Sequence, residues 1–212
     1  MTRIHVFAET NFLFGLFCLP SKRQTRTLAL RARFDAREIE LYIPYLCFQE
    51  TRHLIGKTLR NTRGADLLEF HRFAERTGIA TWDFAEVKKL YDAANAEVNR
   101  AKAIYQRELS ALADALGERI LHGTKDVFDF LESLDLDNDD LRYNDKLILC
   151  SILVKAKELL TSGERQLYFA SLDKSDLAPT VQRPKMARYY ANAGLTFISE
   201  FVLPDPISPR PE

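Results

Sequence analysis

Apolar residues cluster in short runs that alternate with helical stretches along the chain. Residues 3–8 (Arg-Ile-His-Val-Phe-Ala) form an apolar run that ends at Glu9, and Thr10 is placed to cap a helix beginning near Asn11. A second strand reads over 38–43 and stops at Pro44, a residue suited to the first turn of the helix expected over 45–59. Another helix is predicted over 65–76 and a third short strand over 79–82. Asp83 then opens a long helical stretch, with Glu86 at the capping-box position and Trp82 placed to staple to Val87. Its apolar positions, Phe84, Val87, Tyr91, Ala94, Val98, Ala101 and Tyr105, alternate steps of three and four. The spacing slips at Glu108 and resumes at Leu109, Leu112 and Leu116, a coiled-coil-like stripe. Such a stripe serves either as a projecting arm or homodimer seam, or as a hairpin packed on its own domain.

Helices are predicted over 125–134, over 141–160 with a stop at Gly163, and over 187–192; strands over 166–171 and 195–198. The end after Leu203 is rich in Pro and reads as a loose tail over 204–212. Strands separated by helices predict an α/β fold, a three-layer sandwich around a mostly parallel sheet. Residues 1–203 are read as one domain with a helical insertion over 84–140.

Composition narrows the function classes. The 212 residues are 46% hydrophobic and 28% charged, with 30 basic and 30 acidic side chains. That mix fits a globular domain and excludes a purely electrostatic nucleic-acid binder. Glu9 interrupts the one apolar stretch near the start, so neither a membrane span nor a signal-peptide core is expected, and the expected location is the cytoplasm. Three cysteines, Cys18, Cys47 and Cys150, sit among apolar residues and read as buried hydrophobes. The four histidines show no ligand spacing with them, which argues against structural zinc. Asp135-Leu-Asp-Asn-Asp-Asp140 alternates like a calcium loop, but its sixth position is Asp140 and its twelfth is Lys146; an acidic surface turn is the expected role.

Carboxylates carry the chemistry. Glu9 follows the first strand, at the rim where open α/β sheets bind ligands, and Asp173 and Asp176 follow the strand 166–171 on the same rim. Glu50 lies one turn after Leu46 and Cys47; Asp145 lies one turn before Ile148 and Leu149. Both interrupt core-facing stripes, where a lone carboxylate is costly unless paired or bound to a cation. These two on separate helices, with Glu9 and Asp173 at strand ends, point to one shared cation site.

The order of these blocks resembles the PIN-domain nuclease family. His5-Val-Phe-Ala-Glu-Thr-Asn-Phe-Leu13 looks like its opening signature, and Tyr42-Ile-Pro-Tyr-Leu-Cys-Phe-Gln-Glu50 is similar to its second block. Tyr143-Asn-Asp-Lys-Leu-Ile-Leu-Cys150 and Phe169-Ala-Ser-Leu-Asp-Lys-Ser-Asp176 resemble the third and fourth. The resemblance spans the chain except 84–140 and the tail. It implies a parallel sheet and endonucleolytic cleavage of single-stranded RNA at a Mg²⁺ or Mn²⁺ site. By this carry-over Glu9, Glu50, Asp145 and Asp173 are the acidic quartet, Asp176 a further metal ligand, and Asn11 and Ser171 hydrogen-bonding support. Two departures stand out. Glu9 takes the place of the family's usual Asp, and the stretch 84–140 exceeds the small toxin-type members, so an antitoxin-type partner gains no support.

Ten basic residues lie between Lys22 and Arg63 against four acidic ones. Arg52, Lys57, Arg60 and Arg63 are the expected RNA-phosphate contacts; a solvated face is the other reading. The rival to a nuclease is a catalytically weak or inactive PIN-like RNA-binding or interaction module. A phosphatase or regulatory α/β domain ranks last, because the first strand lacks an Asp-x-Asp nucleophile motif.

Overall fold

A computed structural model of the protein describes residues 3–17, 25–61, 72, 76, 84–136, 141–172, 176–199 and 201–204. Five strands, β1 (Ile4–Ala8), β2 (Glu40–Pro44), β3 (Ile120–Leu121), β4 (Gln166–Ser171) and β5 (Leu195–Ser199), form one sheet in the order β3-β2-β1-β4-β5. Every pairing is parallel; Val6 sits opposite Leu41 on one side and Tyr168 on the other. The described residues contain seven α-helices: α1 (Thr10–Phe17), α2 (Thr25–Asp35), α3 (Tyr45–Asn61), α4 (Phe84–Leu116), α5 (Lys125–Ser133), α6 (Tyr143–Thr161) and α7 (Pro184–Asn192).

The central strands are apolar on both sides because both faces are covered. Val6, Phe7, Ala8, Leu41, Ile43, Phe169 and Ala170 are wholly buried, the pattern of a parallel sheet between helical layers. A five-stranded, all-parallel sheet joined by helical crossovers is compatible with a three-layer sandwich. Helix α6 packs across β2, β3 and β4 and buries Leu149, Cys150 and Ile152.

The described residues of 1–51 and 115–212 form one compact unit, and those of 52–114 a second. The sheet belongs to the first. In the long helix α4 the stripe is continuous: Val87, Leu109, Leu112 and Leu116 are buried, and Tyr91, Ala94, Val98, Ala101 and Tyr105 are half-buried. No helix among the described residues is long and apolar enough to cross a membrane. Cys47 and Cys150 are free and buried, while Cys18 lies outside the described residues.

Local chemistry sets the element ends. Gly163 closes α6 at φ 97°, where its N–H donates to Leu160 O and that of Glu164 to Leu159 O. That pair of bonds is a Schellman motif, and glycine takes its left-handed position without a Cβ penalty. The same motif closes α2 through Arg37 at φ 60°, with Glu38 N–H donating to Arg33 O.

Three expectations change. Helix α2 lies where the sequence shows only a basic track, because its buried stripe of Thr27, Leu30 and Phe34 is narrow and partly polar. Strand β3 is two residues long and exists by pairing with Ile43 and Pro44, too short for any periodicity. Thr10 does not cap α1. Glu9 does, its Oε2 accepting from Asn11 N at 2.7 Å, which frees the Thr10 hydroxyl for another partner. The strand expected over 79–82 and the helix over 65–76 fall on residues that are, but for 72 and 76, outside the described ones.

Candidate active site

The strand order turns at β1, which feeds β2 on one side and borders β4 on the other. Open α/β sheets bind ligands outside the carboxyl ends of the strands at such a switch point. Glu9 is the first residue beyond β1 and Ser171 the last of β4, one position past the paired Ala8 and Ala170. The two therefore meet: Ser171 Oγ donates to Glu9 Oε1 at 3.0 Å, and both residues are buried.

Glu9 is 4% exposed, and its carboxyl is pushed up from 4.5 to about 7. Burial disfavours the charge. Donors from Asn11, Ser171 and the Leu172 backbone oppose that shift without cancelling it.

A second carboxylate stands on α3. Glu50 Oε2 accepts from Thr10 Oγ1 at 2.5 Å, and its Oε1 accepts from Asn144 Nδ2 at 3.1 Å. Three elements thus converge on Glu50: the start of α1, the first turns of α3 and the start of α6. Cys47 lies one turn earlier on α3, its thiol pushed well up by burial, with the charges of Glu9 and Glu50 adding to the shift.

Asp145 is half-buried in the first turn of α6, next to Asn144. Asp176 is exposed, and its backbone carbonyl accepts from Arg183 Nη1 at 2.7 Å. Asp173 lies outside the described residues. Among the described residues no three His, Cys, Asp or Glu side chains gather into a metal-holding group. The donor chemistry nevertheless suits Mg²⁺ or Mn²⁺, which prefer hard carboxylate oxygens. A cation beside Glu9 would also reverse the cost of its buried charge.

Thr10 and Asn144 had no assigned site role in the sequence. Each adjoins a candidate acid, Glu9 or Asp145, but their shared partner Glu50 lies 40 and 94 residues away. Only the fold brings them to it.

The basic residues divide. On α2, Arg31 Nε donates to both carboxylate oxygens of Asp35 and Arg33 pairs with Glu38, so both are engaged in local ion pairs. Arg52 and Lys57 are exposed on α3; Arg63 and the side chain of Arg60 lie outside the described residues. Within the second unit Arg52 lines a cavity of about 340 Å³ with His53, Gly56, Leu59, Val98, Lys102 and Gln106. Gly56 is interior to α3, and a Cβ built there meets nothing within 4 Å. Gly56→Ala should therefore stabilise the protein by about 0.5–1 kcal/mol, the helix-interior glycine penalty. Denaturant titration checks this, and a loss of stability would mean that the glycine serves packing.

Comparison with protein-family models, with curated proteins and with solved structures finds no match.

Proposed function

We propose that this protein is a metal-dependent endoribonuclease of the PIN type, hydrolysing phosphodiester bonds of single-stranded RNA. The observation that carries this reading is a buried Glu9 at the carboxyl end of β1, one residue from Thr10, whose hydroxyl holds Glu50. The resemblance of four sequence blocks to that family supports it, as does an all-parallel sheet.

Glu9 and Glu50, with Asp145 and Asp173, would hold Mg²⁺ or Mn²⁺; Asp176 is the outermost candidate. A bound ion of this class supplies charge for the phosphate and an activated water. The side chains around the acids supply position. Ser171 and the Asn11 N–H fix the two oxygens of Glu9, and Thr10 and Asn144 fix those of Glu50. Carboxylates held this way need no rearrangement as substrate arrives. No side-chain nucleophile is required.

The test is labelled single-stranded RNA with Mn²⁺ and with EDTA. Cleavage should require the divalent ion and leave 5′-phosphate ends. Metal-independent cleavage, or cyclic phosphate products, would indicate attack by the 2′-hydroxyl and remove the mechanism.

One observation favours a weak or inactive RNA-binding module. Glu9 is a methylene longer than the family's usual Asp, and both its oxygens already accept hydrogen bonds. Glu9→Asp separates the two readings. Faster cleavage in the variant marks a detuned nuclease; RNA binding without cleavage in either protein marks the module.

A further inference from the structure

The carboxyl rim of the sheet carries aromatic rings that the acidic pocket does not use. Tyr45 follows Pro44 at the end of β2, and His122 follows Leu121 at the end of β3. Their rings stack with centroids 5.3 Å apart and planes 29° from parallel. Tyr45 is 41% exposed, and His122 is exposed as well. Both rings therefore keep part of their surface open to solvent.

Its place on the sheet is fixed by register. Phe7 pairs with Tyr42 and Pro44 with Leu121, so Glu9, just past β1, stands level with Pro44 and Leu121, the last residues of the next two strands. Strands in a sheet lie about 4.8 Å apart, which sets Tyr45 one strand spacing and His122 two, or about 10 Å, from the chain at Glu9. Tyr143, 62% exposed, opens α6 beside Asn144, the residue that donates to Glu50.

The geometry points to a base-stacking platform: Tyr45 with His122, seconded by Tyr143, takes unpaired bases of single-stranded nucleic acid next to the acidic pocket. The inference deepens the nuclease reading and rests on it for the identity of the ligand. Unpaired bases are flat, apolar on their faces and free to splay onto aromatic rings, whereas the bases of a duplex are already stacked. The platform is therefore selective for single strands and tolerant of sequence. Tyr45, His122 and Tyr143 are positioning residues, since they would touch bases and not the scissile phosphate.

The test is binding in EDTA, which separates stacking from cleavage. The probe is a short single-stranded RNA with 2-aminopurine at successive positions, titrated with the full-length protein. The wild type should quench at least one position saturably. Tyr45→Ala should weaken binding by about five- to a hundred-fold, the range for one lost base stack, and abolish that quenching. Tyr45→Trp should restore both. Tyr45→Leu, which keeps apolar bulk without a ring, should not, and the melting temperature of each variant verifies folding. Fully paired RNA should bind equally to wild type and Tyr45→Ala. Unchanged affinity and quenching in Tyr45→Ala, or full binding by Tyr45→Leu or by an abasic oligonucleotide, would overturn the platform. Stacking that persists in a protein without metal-dependent cleavage would keep the platform and discard the nuclease. Cleavage with an unaltered KM in Tyr45→Ala would do the reverse.

Discussion

Glu9→Gln should make the metal-free protein more stable at pH 8 and flatten its stability between pH 4.5 and pH 7. In the folded chain burial pushes the Glu9 carboxyl up from 4.5 to about 7. The native state therefore binds a proton more tightly than the unfolded chain, and stability falls as pH rises through that window. Below 4.5 both states are protonated and the effect is absent; above 7 both are ionised and it is complete. The shift corresponds to about 3 kcal/mol, or on the order of 6–12 °C in melting temperature for a chain of this size. Gln keeps the shape and an oxygen able to accept from Ser171 or Asn11, but carries no charge. Its melting temperature in EDTA should thus be insensitive to pH across the window, and higher than the wild type's at pH 8. An equal slope in both proteins would mean that Glu9 ionises without penalty, and the buried-charge argument for a cation site would lose its anchor.

The parts of the fold that could be read from sequence are those with local causes. The run before Glu9, the stop at Pro44, the long stripe from Phe84 and the glycine stop at Gly163 each rest on contacts within a few residues. They coincide with β1, β2, α4 and the end of α6. Strand β3 has no such cause. Ile120 and Leu121 are strand because Ile43 and Pro44 lie beside them, a pairing across 77 residues. The same holds at the candidate site. Glu9 could be placed at the sheet's carboxyl rim from its run alone, yet its hydrogen bond to Ser171 spans 162 residues. The Thr10 hydroxyl illustrates the competition. Local chemistry offers it a helix cap, but a Glu9 side chain folded back over Asn11 N takes that role and releases Thr10 to Glu50. A carboxylate at a helix N-terminus is favoured by the helix dipole, so the tertiary outcome agrees with the local one that it displaced.

Asp145→Asn should cost at least about a hundred-fold in RNA cleavage and shrink the stabilisation that Mn²⁺ confers, while leaving the metal-free protein as stable as before or more so. Asp145 opens α6 in its first turn, where a negative charge near the helix N-terminus is worth a few tenths of a kcal/mol to about 1 kcal/mol. At the proposed site the substitution also relieves repulsion from the other acids while no cation is bound. The relief matches or exceeds the lost helix-terminus term, so no loss of stability is expected in EDTA. With Mn²⁺ the signs part. A cation that binds only the folded chain stabilises it by about 2.7 kcal/mol at a hundred times its Kd, and a tenfold weaker site leaves about 1.4 kcal/mol of that. Thermal melts of wild type and variant, each with EDTA and with millimolar Mn²⁺, read both quantities at once. If Asp145 instead serves only the fold, the variant is less stable in EDTA and keeps its full metal shift. That result would take Asp145 out of the site and leave Glu9 and Glu50, with Asp176 at its outer edge, as the described acids that could hold a cation.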